Sequence, residues 1–212
     1  MALTFRPRNQ EELNTCMDAA LAYLAKPEAD VDPRIAGYVR DLTLESATTL
    51  QRTTNAHRVA QGAATAARDA LEAADDAADA AIRQLFGHAK LNHPAAYAQL
   101  LSASQGRPQS DFTRLNGDTQ VQAIRDLASR LQGLGQVPGL PAERVAEMVA
   151  TNEALGVATR AASDAEGAQL ANSEAMQAAR VAFKADYRSL LDQLAVHYSE
   201  DQVAALLPRF QR

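Results

Sequence analysis

Proline is the residue a helix tolerates least, and here it leaves residues 34–93 and 142–207 untouched. Both tracts are rich in alanine, the strongest helix former, and poor in β-branched residues, so each is expected to be one long helix. Pro33 and Pro141 stand at their starts, where a missing N–H costs nothing, and Asp32 is placed to cap the first. At 1.5 Å per residue, some 57 residues give a rod of roughly 85 Å, a length that belongs to coiled coils and elongated bundles.

Shorter helices are predicted around the rods. Asn9 with Glu12 precedes Leu13, Cys16, Ala20 and Leu24, while Val121, Ile124, Ala128 and Leu131 repeat that spacing after Asp118. Ser199 with Gln202 caps a last short helix carrying Val203, Leu206 and Leu207. Gly133, Gly135 and Gly139 read as a helix stop and lack the preceding strand of a phosphate-binding loop.

The order short helix, long helix, short helix occurs twice. A shift of 108 aligns Asp18 with Asp126, Pro33 with Pro141, Thr43 with Thr151, Glu45 with Glu153 and Arg52 with Arg160. Beyond residue 60 the shift becomes 105, matching Gly62 with Gly167, Arg83 with Arg188, Leu85 with Leu190 and a series of alanines; Leu100 and Leu101 match Leu206 and Leu207 at 106. The expected fold is therefore all-α: an elongated antiparallel helical bundle or coiled coil built by tandem duplication. Residues 1–107 form the first repeat, 108–116 a linker and 117–212 the second, in one intertwined domain.

Large apolar residues gather at the rod ends and alanine fills the middles. Antiparallel rods bring Gly62 and Gly167 together near their midpoint, which makes these two the candidates for a close helix crossing. Net charges of −2 over residues 62–90 and −3 over 141–167 argue the other way, for parallel rods, but surface pairs contribute only about 0 to 1 kcal/mol. Ala63, Ala66, Ala70, Ala74, Ala77 and Ala81 form one stripe. A second stripe, Ala60, Ala64, Ala67, Leu71 and Ala78, is left for self-association, so a homodimer is expected.

No catalytic constellation emerges. The residues three before His57, His88, His93 and His197 are Thr54, Leu85, Lys90 and Leu194, so no Glu-x-x-His pair of a di-iron bundle is present. His88 and His93 are close enough in sequence to share an ion but read better as helix-end residues, and Glu72, Asp75, Asp76 and Asp79 read as a solvated acidic face. The lone Cys16 lies on an apolar stripe, which makes it a core residue. No cofactor and no metal ligand is expected. A formal charge of −5 argues against nucleic acid, no run is apolar enough to span a membrane, and residues 1–13 carry Arg6, Arg8, Glu11 and Glu12 instead of a leader, so a cytoplasmic address is expected.

The function these features suggest is a non-enzymatic scaffold, a dimeric alanine-rich rod that binds protein partners. A small-molecule- or metal-binding bundle is the alternative, and a lipid or granule surface coat is a third reading.

Overall fold

The computed structural model describes residues 9–207. Expectations that fall on residues 1–8, including the reading of Arg6 and Arg8, lie outside that range, and the side chain of Leu206 is not among those described.

Among the described residues there are seven α-helices and no strand: α1 (Gln10–Leu24), α2 (Pro33–Asn92), α3 (Pro94–Ala103), α4 (Gln109–Phe112), α5 (Gly117–Gly133), α6 (Ala142–His197) and α7 (Glu200–Leu206). The first tract is thus a helix of 60 residues that includes Pro33, and the second holds a helix of 56 residues that breaks at Tyr198 and Ser199 before α7. Asp32 caps α2 by accepting from the backbone N–H of Arg34 at 2.8 Å and of Ile35 at 3.4 Å. Pro141 precedes α6 by one residue, and its carbonyl accepts from the N–H groups of Arg144 and Val145.

The short helices follow the same local chemistry. Asn9 caps α1 through the Glu12 N–H, and Ser199 and Gln202 form a reciprocal capping box on α7. Helix α5 differs from the sequence reading: it starts at Gly117 with Asn116 as N-cap, ahead of Asp118. It stops where expected, with Gly135 at φ +71°, a left-handed geometry that suits a residue lacking a Cβ. Segment 108–116 holds the single turn α4, whose Phe112 is buried.

Contacts divide the chain into two compact units. Unit 1 comprises residues 1–61 and 168–212, and unit 2 comprises 62–167, so both long helices contribute a half to each.

In unit 1, α1 buries Leu13, Cys16, Met17, Ala20 and Tyr23, a 3–4 spacing that places them on one face. They pack with Ile35, Val39, Ala47 and Leu50 of α2 and with Phe183, Tyr187, Leu190, Leu191 and Leu194 of α6. The helix ends are tied by polar contacts: the Tyr198 hydroxyl donates to Asp32 Oδ2 at 3.0 Å, and the Asp32 N–H donates to the Tyr23 hydroxyl at 3.2 Å.

In unit 2, Ile82, Leu85 and Phe86 of α2 pack with Leu100 of α3, Phe112 of α4, Ile124, Leu127 and Leu131 of α5, and Met148 and Leu155 of α6. The two long segments run antiparallel here. Arg68 Nε meets Glu166 Oε1 at 2.8 Å while Arg144 Nη1 donates to Gln84 Oε1 at 2.6 Å, so numbers rise along one helix as they fall along the other.

Candidate functional site

The two alanine stripes of α2 do not take the sides the sequence suggests. Ala64 and Ala78 are each 1% exposed, Leu71 packs against the unit 2 core, and Ala60 and Ala67 are half-buried. This self-association set therefore faces inward, because it contains Leu71 and leads on to Leu85, the larger side chains whose burial removes most apolar surface from water. Of the other stripe, Ala63, Ala66, Ala70 and Ala77 are exposed, as is Ala73 beside them, whereas Ala74 packs against the unit 2 core and Ala81 is buried in it. In unit 1, Ala168, Ala171, Ala175, Ala178 and Ala182 of α6 are exposed in the same 3–4 alternation.

Gly62 and Gly167 are both exposed, and a methyl group at either would meet no atom within 4 Å. Close packing within the chain therefore does not require glycine at either position. Gly139 is the contrasting case. Its φ is +84°, and an added Cβ would lie 2.6 Å from Cγ of His93.

The histidines fall in three places, with His88 and His93 together. His197 stacks on Tyr38 with ring centroids 6.1 Å apart, and His57 is half-buried. The rings of His88 and His93 are 5.6 Å apart, with His88 Nδ1 3.4 Å from the Asn92 amide. Cys16 and Ile124, 108 positions apart, are both fully buried. Burial pushes the Cys16 thiol up to about 12, with the Tyr187 hydroxyl bond pulling partly the other way, so the thiolate is scarce at neutral pH. Burial raises the Tyr187 phenol as well.

The most distinctive chemistry lies inside unit 2. The acidic run on α2 is split by helix geometry: Glu72 and Asp76 face solvent, Asp75 is half-buried and Asp79 is buried. Asp79 Oδ2 accepts from Arg83 Nη2 at 2.7 Å, and Oδ1 accepts from Gln120 Nε2 at 2.9 Å. Gln120 is wholly buried, and its neighbour Val121 offers its carbonyl to Asn152 Nδ2 at 3.1 Å. One carboxylate and two amides from α2, α5 and α6 thus join in a polar layer within an aliphatic core. Burial raises the Asp75 carboxyl above its ordinary value, and the negative charges of Asp79 and Asp76 push it the same way.

The register of these residues was readable in part. Gln120 precedes Ile124 by four, and Asn152 lies between Met148 and Leu155, so both amides stand on the apolar stripes of their helices. Among the described residues no three His, Cys, Asp or Glu side chains form a metal-binding set. An apolar pocket of about 180 Å³ opens between α5 and α6, lined by Leu131, Val137, Leu140 and Val145 among others. No described helix is long and apolar enough to cross a membrane.

Compared with known protein families, curated proteins and solved structures, the chain matches none.

Proposed function

We propose that the chain is a non-enzymatic scaffold, a homodimer of long alanine-rich helices that binds protein partners. The observation that carries this reading is the pair of exposed alanine stripes, Ala63, Ala66, Ala70, Ala73 and Ala77 on α2 and Ala168, Ala171, Ala175, Ala178 and Ala182 on α6. Alternating steps of three and four are the seam of a coiled coil, and alanine lets two helix backbones approach closely. Each α6 position is its α2 counterpart plus 105, the offset that also relates Gly62 to Gly167, so tandem duplication of one helical unit accounts for both stripes.

Charge supports contact between unlike stripes of two copies. Residues 62–80 carry Arg68 against Asp69, Glu72, Asp75, Asp76 and Asp79, net −4, whereas 168–188 carry Arg180, Lys184 and Arg188 against Glu174 and Asp186, net +1. Individual exposed pairs contribute little, about 0 to 1 kcal/mol, so charge selects the pairing and apolar contact holds it. Leu170 and Val181, 63% and 62% exposed and three turns apart, give α6 a second apolar strip for a partner.

Light scattering at micromolar concentration tests the dimer. The expected mass is twice the 22.7 kDa of the chain, falling to the single value in Ala70→Glu and Ala175→Glu. A monomeric wild-type protein overturns the reading.

The pocket beside Leu131 and Val145 favours a second reading, a small apolar ligand. At about 180 Å³ it is smaller than the roughly 300–1,000 Å³ of ordinary ligand sites, and the scaffold reading stands ahead of it.

A further inference from the structure

The connection between α5 and α6 is shaped by glycine and proline. Gly135 and Gly139 take φ +71° and +84°, where a Cβ is strained, and Pro138 and Pro141 restrict the backbone beside them. The turns are closed by hydrogen bonds: the Gly135 N–H donates to the Gln132 carbonyl at 3.0 Å and the Leu140 N–H to the Val137 carbonyl at 3.1 Å. This path brings Val137 and Leu140 round to Leu131 of α5 and Val145 of α6, and the four side chains line the pocket of about 180 Å³. Leu131 and Val137 are buried, and Leu140 and Val145 pack on the unit 2 core, so the walls are supported from behind.

Size, charge and polarity together define what suits this space. A cavity of roughly 150 Å³ lined by aliphatic and aromatic side chains takes benzene, so about 180 Å³ holds one six-membered ring and one further small group. No charged side chain lines the pocket, and an ionised ligand there would lose hydration without gaining a counter-charge. Gln132 and Gln136 line it as well and are exposed, which puts amide donors and acceptors at its solvent side.

We propose that this pocket binds an uncharged single-ring compound of phenol's size, its ring among Leu131, Val137, Leu140 and Val145 and its hydroxyl at Gln132 and Gln136. The proposal rests on the reading of the pocket as a small-ligand site and adds the class of ligand. A volume below that of ordinary ligand sites is what selects a single ring.

The test titrates the full chain with phenol, 2-naphthol and benzoate by NMR chemical-shift perturbation. Phenol is expected to bind one site per chain with a Kd on the order of 0.1–1 mM, a good affinity for a ligand of so few atoms. The fused second ring of 2-naphthol exceeds the volume and benzoate is ionised at neutral pH, so each is expected to bind at least about tenfold more weakly. Adsorption to an apolar surface follows area instead and favours 2-naphthol. Ala142 lines the pocket from the exposed start of α6, and Ala142→Leu is expected to weaken phenol binding about tenfold while circular dichroism reports unchanged helix. If 2-naphthol binds more tightly than phenol and Ala142→Leu abolishes it, the ring size is overturned and the pocket stays a site for apolar ligands. Benzoate binding as tight as that of phenol overturns the uncharged class. Phenol binding that Ala142→Leu leaves unchanged places the ligand elsewhere and overturns the assignment. Silence toward all three compounds overturns both the ligand class and the pocket reading. The dimer is read separately, by the mass measurement.

Discussion

Unit 1 fills its centre with Phe183, Tyr187, Leu50 and Leu190, while unit 2 sets Asp79, Gln120 and Asn152 into a core otherwise built of Ile82, Leu85, Ile124 and Leu155. The polar groups of unit 1 are handled differently. Thr43 is buried but returns its hydroxyl to the Val39 carbonyl of its own helix, and Asp32, Tyr23 and Tyr198 join at the helix ends. In unit 2 the polar bonds run between helices, so they depend on α2, α5 and α6 holding one register. Apolar packing is non-directional and tolerates small slips, whereas a buried carboxylate paired with an amide at 2.9 Å does not. The difference points to a unit held by volume and a unit whose register is policed by hydrogen bonds.

The sharpest test of the first half of this contrast is Phe183→Ala. It empties the fully buried centre of unit 1 and is expected to cost about 3–5 kcal/mol in urea unfolding. A loss below about 1 kcal/mol would show that volume does not hold that unit.

For unit 2, Asp79→Ala strips Gln120 of its partner and is expected to cost about 2–3 kcal/mol. Replacing Asp79 and Gln120 together by Leu is expected to be close to neutral, because no orphan remains. If the double variant is as unstable as the single one, the hydrogen bond is not what unit 2 depends on.

Glycine supplies a smaller effect. Gly62→Ala and Gly167→Ala are each expected to stabilise by about 0.5–1 kcal/mol, since the new methyl meets nothing and the unfolded chain loses freedom. Destabilisation would restore a close crossing at these positions, one made by a second copy.

The smallest effect is a difference of sign with pH. The backbone N–H of Arg34, with the Tyr198 hydroxyl, holds Asp32 below its ordinary value, so its contribution is present above the unfolded carboxylate range and is lost as pH falls through the lowered value. Burial and neighbouring carboxylates raise Asp75, so its contribution is full below the unfolded value and is lost as pH rises through the raised one. Asp32→Asn is therefore expected to destabilise at neutral pH and Asp75→Asn to stabilise, with both differences fading on acidification. Denaturation midpoints measured from neutral pH downward check the two signs.

Much of the architecture was legible locally. Caps at Asp32 and Ser199, prolines at the tract starts and the 3–4 spacing of α1 and α5 are properties of neighbours along the chain, and the helices begin and end within a residue or so of them. The inward alanine stripe was legible only to a reader who weighed size, since Leu71 and Leu85 sat in it. Gln120 and Asn152 carried the signal of polar residues at core register, but nothing in the spacing said that they would share a layer with Asp79.

Sequence alone determined that this chain is helical, where its long helices run, and which residues are apolar enough to be candidates for burial, because helix propensity, capping and periodicity act within a few residues. Tertiary structure decided which way α2 is rotated and which polar groups meet. Two alanine stripes on one helix have nearly the same local energy, so the choice rests on what α5 and α6 bring up against Leu71, Asp79 and Leu85, contacts between residues tens of positions apart.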